Sequence, residues 1–136
     1  MADLNSFYSR WSQWMLSILR IVSALLFMQH GAQKLFGFLA PMHTPSHPLF
    51  SLMGIAGVLE FFGGLLLAFG LLTRPIAFLL SGEMAVAYFI AHAPKGFWPL
   101  QNGGDLAVLY SFVFLYMALA GGGAWSLDRL LFDTRC

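Results

Sequence analysis

The chain has 136 residues, 59% of them hydrophobic and only 10% charged, with a mean hydropathy of +0.74. This excludes a soluble domain of ordinary composition and places the chain among integral membrane proteins. A formal net charge of +1 provides no basic stripe for nucleic acid, and the lone cysteine, Cys136, excludes dithiol exchange within the chain and a thiolate metal site.

Residues Met1 to Ser12 are polar and mixed in charge, and the apolar segment after them is long and contains Arg20. A secretory h-region is shorter and uncharged, so this segment is expected to be a permanent span. Apolar stretches run from about Trp14 to Leu39, Ser51 to Leu72, Ile76 to Ala91 and Leu106 to Ala120. A helix needs about 20 residues to cross the hydrocarbon core, so the last two must draw in flanking residues. The expected helices are then about 14–39, 51–72, 76–92 and 104–122. Open strands cannot satisfy their backbone groups in lipid. The expectation is therefore a single all-α domain over 1–136, an integral membrane four-helix bundle.

Between the first two stretches, Ala40 to Pro48 holds three prolines and the histidines His43 and His47. Pro45 argues against a helix that would pair those histidines, and no residue spacing points to a metal site. On the second stretch, Gly54, Gly57 and Gly64 share a face with Glu60, which turns that carboxylate inward, because small residues let helices approach closely in lipid. Thr73-Arg74-Pro75 predicts a tight antiparallel link, with Pro75 in the first turn of helix three. The stretch from Ala93 to Gly104, with Pro94, Gly96, Pro99 and two closing glycines, is expected to be irregular, and Phe97 and Trp98 to anchor it at an interface. Arg10, Arg74, Arg129 and Arg135 fall on one side and Lys95 on the other, with Lys34 at the margin. The positive-inside rule then puts both termini in the cytoplasm, N-in and C-in.

Seven ionisable side chains lie in or at the rims of these spans: Arg20, His30, Lys34, Glu60, Glu83, His92 and Asp105. A charge near the bilayer centre costs at least about 3 kcal/mol, so each must face protein, water or a partner. Arg20 and Glu83 each fall about two turns from the cytoplasmic end of their helix, which predicts a buried ion pair. His30, Lys34, Glu60, His92 and Asp105 gather at the outer level and form a candidate ligand or proton site. Plainer roles exist for most of them. His30 can satisfy a backbone carbonyl, Lys34 can snorkel to the interface, and Asp105 can cap helix four. Glu60, in mid-helix on a glycine face, is the one that packing explains least, with Lys34 and His30 as its expected partners.

The runs LRIVSALLFMQHGAQKLFGF, GVLEFFGGLLLAFGLLTRP, GEMAVAYFIAHAPKGFWPLQNGGDLAVLY and GGGAWSLDRLL resemble the DoxX family of small bacterial membrane proteins over most of Leu19 to Leu131. The resemblance implies a four-helix membrane bundle and kinship with the small membrane subunit of archaeal thiosulfate:quinone oxidoreductases. It also implies kinship with relatives proposed to act beside oxidative-stress and sulfur-transfer partners. The family's recurrent polar residues match Arg20, His30, Lys34, Glu60, Arg74, Glu83 and Asp105, the last where many relatives have glutamate.

Three functions compete at this stage. The first is an accessory subunit of a quinone- or sulfur-linked redox complex in the bacterial inner membrane, with no intrinsic cofactor but a quinone as candidate ligand. In it, His30 and Lys34 supply donors, Glu60 relays protons, and electron transfer requires a cofactor on a partner. The second is a non-enzymatic scaffold or assembly subunit, working with a protein partner or as a homo-oligomer. The third, transport of protons or a small solute, has only four short helices and no inverted repeat behind it.

Overall fold

The computed structural model describes residues 1–41 and 46–132; His43, Pro45, Arg135 and Cys136 lie outside them. Helices and turns account for all regular structure among the described residues, with no strand. Three helical stretches, Asp3–Phe36, Leu52–Phe69 and Thr73–Lys95, are long and apolar enough to cross a membrane, while Asp105–Ala120 is apolar but shorter. Outward-facing side chains such as Val22, Leu25, Phe78, Phe112 and Leu119 are exposed and apolar, which suits lipid and not water.

Helix α1 spans Ala2–Phe36, so the polar first dozen residues are helical and continuous with the apolar segment. Ser6, Ser9 and Ser12 bend their hydroxyls back to the carbonyls of Asp3, Ser6 and Ser9, which satisfies them without interrupting the helix. At about 1.5 Å per residue, α1 is roughly 50 Å long, well beyond a hydrocarbon core of about 30 Å. It ends where Gly37 takes the left-handed conformation and closes onto the carbonyls of Ala32 and Gln33.

Helix α2, Leu52–Phe69, starts on Ser51, whose hydroxyl accepts from the Gly54 amide at 3.1 Å. One wide π turn, Leu59–Gly63, interrupts its α geometry. It stops at Phe69, short of the expected Leu72, because Gly70 turns left-handed at φ 69°. Helix α3, Thr73–Lys95, follows at once and carries Pro75 in its first turn. Its last part passes through a π turn at Tyr88–His92 and a 3-10 turn at Ala93–Lys95. The stretch after it is less irregular than its prolines and glycines suggest, since Pro99–Asn102 forms a short helix, α4, with the proline in its first turn. Helix α5 is Asp105–Ala120 and α6 is Leu127–Phe132.

Glycine sets how closely α1 and α2 meet. A Cβ on Gly31 would stand 2.5 Å from the Phe61 amide nitrogen and 2.8 Å from the Gly57 carbonyl oxygen, so backbone meets backbone here. Helices α3 and α5 are joined by a reciprocal pair: Ser81 donates to the Ser111 carbonyl at 2.7 Å and Ser111 to the Ser81 carbonyl at 3.0 Å. Between the two helix pairs lies a core of Phe27, Leu67, Leu80, Phe114 and Met117, with Phe27 and Phe114 edge to face at 4.9 Å.

The segment after α5 folds back over one end of the helices, and this overturns the predicted Arg20–Glu83 pair. Arg20, 1% exposed, donates to the carbonyls of Gly122 and, at 2.9 Å, Trp125. Glu83 makes no ion pair with it, and neither of its carboxylate oxygens has a hydrogen-bond partner among the described residues. Depth along a helix fixes height but not direction, and α3 begins three residues before the expected Ile76, which carries Glu83 farther from this end. Asp128 completes the closure: its carboxylate accepts from the amides of Leu72 at 2.7 Å and Thr73 at 2.8 Å, capping α3 from across the chain.

Candidate functional site

A cavity of about 520 Å³ opens among α1, α2, α3 and α5, toward the end of the molecule away from Arg20. Its walls are mostly apolar, including Phe27, Leu52, Met53, Met84, Ile90 and Leu106. Into them are set the polar groups of His30, Lys34, Glu60, Glu83, His92 and Tyr110. An apolar pocket with a few convergent polar groups is the usual form of a small-molecule site.

Each polar group has an identifiable positioning device. His30 and Lys34 are four residues apart on α1 and so face the same way. Glu60, 2% exposed, projects from the π turn of α2, where the extra residue per turn re-aims the side chains that follow. Its Oε1 lies 2.5 Å from the Lys34 ammonium, and this is the one ion pair among the described residues that meets hydrogen-bond geometry. Its Oε2 is buried and unpartnered, as are both oxygens of Glu83. His92 belongs to the second π turn, at the end of α3.

Asn102 organises the wall behind His92. Its amide nitrogen donates to the Tyr88 hydroxyl at 3.2 Å and to the Gly96 carbonyl at 2.9 Å, and its Oδ1 accepts from the Gly104 amide at 2.8 Å. The Asn102 carbonyl in turn lies 3.2 Å from His92 Nδ1. A carbonyl only accepts, so Nδ1 carries the hydrogen, and Nε2 of the neutral ring is an acceptor. His30 meets the Tyr110 ring edge to face, with centroids 6.4 Å apart.

The structure thus brings four of the five side chains grouped by level, His30, Lys34, Glu60 and His92, to one cavity. Asp105 is not in its wall: it is exposed at the start of α5 and accepts from the Leu106 amide at 3.0 Å. Glu83, assigned from sequence to the other end, takes its place. Counting α3 from Thr73 puts Glu83 about 15 Å along the helix, near mid-span, which would have signalled this. Tyr110, in the wall, and Asn102, behind it, carry no motif or spacing that marks them in the sequence. Among the described residues, no three His, Cys, Asp or Glu side chains gather in a way that could ligate a metal ion.

A second cavity, of about 570 Å³, lies at the Arg20 end, lined by Gln13, Thr73, Arg74, Gly121 to Gly123, Asp128 and Arg129 among others. Several of its polar groups are engaged in closing the fold: Asp128 caps α3, and Arg74 donates to the Leu119 carbonyl at 2.6 Å. The first cavity keeps three buried carboxylate oxygens, one of Glu60 and both of Glu83, without a partner among the described residues and is the better candidate.

Comparison with known proteins agrees with the helical membrane architecture. The chain is similar to an uncharacterized protein of Haemophilus influenzae, 44% identical over 90% of this chain and 95% of that one. It is also similar to the inner membrane protein YqjF of Escherichia coli, 32% identical over 84% of this chain and 89% of that protein. An uncharacterized membrane protein of Mycobacterium tuberculosis is 30% identical over 83% of this chain and 78% of its own length. No solved structure gives a significant match. The DoxX family model matches residues 15–93, which run from the apolar part of α1 to the π turn that carries His92. The chain is a membrane protein and belongs to the DoxX family.

Proposed function

We propose that this chain is a four-span protein of the bacterial inner membrane, with both termini in the cytoplasm, that binds a quinone-class carrier as an accessory subunit of a redox complex. The observation that carries this reading is the cavity beside His30: an apolar chamber with a half-buried Lys34–Glu60 pair and free carboxylate oxygens at its polar end. A lipid-soluble ring suits the walls, and Tyr110 and Phe27 offer faces for it. Electrons pass to or from a cofactor on a partner protein, because this chain has no flavin or haem motif and no thiol pair. With the Arg20 end in the cytoplasm, the cavity opens toward the outer half of the bilayer. The inner-membrane placement of the E. coli relative supports the location.

The test is extraction. The tagged chain is purified from native membranes in mild detergent, and its lipid extract and protein partners are identified by mass spectrometry. A quinone-class molecule near one per chain is expected, together with a redox partner. An extract with no more quinone than an unrelated membrane protein of similar size would sink the carrier role.

A scaffold reading has one observation of its own. Gly82 is exposed on α3, and a Cβ added there would meet nothing within 4 Å, which leaves a helix face that another chain can approach closely. Under that reading, Glu60→Gln lowers the yield of a complex without changing its turnover per copy.

A further inference from the structure

The free polar atoms of the cavity are chiefly acceptors. Lys34, its strongest donor, gives one of its three N–H groups to Glu60 Oε1 at 2.5 Å, and that contact balances one negative charge. Glu60 Oε2 and both oxygens of Glu83 are buried with no donor among the described residues. His92 adds another lone pair, because the Asn102 carbonyl holds its hydrogen on Nδ1. The Tyr110 hydroxyl can donate or accept, and the His30 imidazole can donate from one nitrogen and accept at the other, so neither favours one kind of ligand.

A quinone presents two carbonyl oxygens, which only accept. Set against these carboxylates, they would add repulsion to atoms already short of donors, and a buried acceptor left without a donor is unfavourable. The corresponding quinol presents two hydroxyl groups, and a hydroxyl bonded to a carboxylate is among the stronger hydrogen bonds. We infer that the cavity among α1, α2, α3 and α5 is matched to the reduced, hydroxyl-bearing form of its carrier, with Glu83 and the free oxygen of Glu60 as the acceptors. This rests on the carrier reading above and reverses the part first expected of this site, in which His30 and Lys34 offered donors to a quinone. The competing arrangement is a proton resident on Glu83 that donates to a quinone carbonyl; it gives the opposite order of affinity.

The full chain in lipid nanodiscs, under anaerobic conditions, is titrated with three probes: a decyl-substituted benzoquinone, its quinol, and the dimethyl ether of that quinol. The ether keeps the shape but cannot donate. Binding of the quinol about tenfold tighter than the quinone is expected, with the ether no better than the quinone. That ratio raises the midpoint potential of the bound couple by about 30 mV. Glu83→Leu should remove most of the preference, while the ether comparison needs no variant. A quinone that binds as tightly as the quinol, or an ether that matches it, overturns the preference and leaves the carrier reading standing. If none of the three binds, both fall.

Discussion

Lys34 and Glu60 hold each other at 2.5 Å with side chains 21% and 3% exposed, so the carboxylate cannot turn to bulk water without breaking the contact. Removing one partner of a buried pair leaves the other uncompensated, at a cost of about 3–5 kcal/mol, whereas replacing both with apolar groups of similar size is often neutral. Lys34→Met alone should therefore destabilise the chain by roughly 3 kcal/mol, and Lys34→Met with Glu60→Met should recover most of that loss. Unfolding titrations in mixed micelles measure both. Additive losses in the double variant would mean that the pair is not coupled. Arg20 shows the other way to bury a charge. It is surrounded by backbone carbonyls of the returning segment instead of facing a carboxylate in hydrogen-bond contact. Residue types alone do not announce such a partner, because every residue carries a carbonyl.

At the scale of elements, the sequence is most readable where the physics is local. Apolar runs separated by Gly and Pro mark the helices, and the spacing of Gly54, Gly57 and Gly64 marks the packing face of α2. Two of these glycines sit against α1: a Cβ on Gly57 would lie 3.0 Å from Lys34 Cβ, and one on Gly64 would crowd Met28. What was not readable depends on contacts distant in sequence or on backbone geometry without a residue signature. The π turns at Leu59–Gly63 and Tyr88–His92, which aim Glu60 and His92, follow no motif, and the exposed Asp105 was grouped with the cluster by level alone. The same reasoning separates two glycines that look alike in sequence. Gly31→Ala places a methyl group against the Phe61 backbone, an overpacking that should cost about 1–3 kcal/mol. Gly82→Ala meets open space in a helix and should be neutral or stabilise by up to about 1 kcal/mol. Thermal unfolding of the two variants in one detergent checks the order; a Gly31→Ala protein as stable as Gly82→Ala would mean that the α1–α2 contact is looser than described.

The whole molecule is asymmetric from end to end, and the asymmetry bears on both topology and function. At one end, Arg20 and Asp128 bind the returning segment to α1 and to the start of α3 through backbone groups, Arg74 ties α3 to the end of α5, and Arg129 lies beside them. At the other, the polar cavity lies beside the turns and short helix around Asn102, near which Lys95 is the basic residue and Phe97 and Trp98 are exposed. Basic residues are retained on the cytoplasmic side, and aromatic residues collect at the interfaces. The proposed orientation therefore puts the closed, arginine-rich end inside and gives the cavity access from the outer half of the bilayer, where a lipid-soluble ligand can enter laterally. In a Cys136→Ser background, a membrane-impermeant maleimide added to spheroplasts should label Phe97→Cys and spare Asn5→Cys, with Asn5→Cys labelled only after the membrane is opened. The reverse pattern would turn the molecule over and move the cavity to the cytoplasmic leaflet. Labelling of both positions from outside would exclude an arrangement in which the two ends of the helices lie on opposite sides of the membrane. Because the cavity lies near Phe97 and the arginines lie near the other end, this one measurement fixes from which leaflet a ligand reaches Glu83.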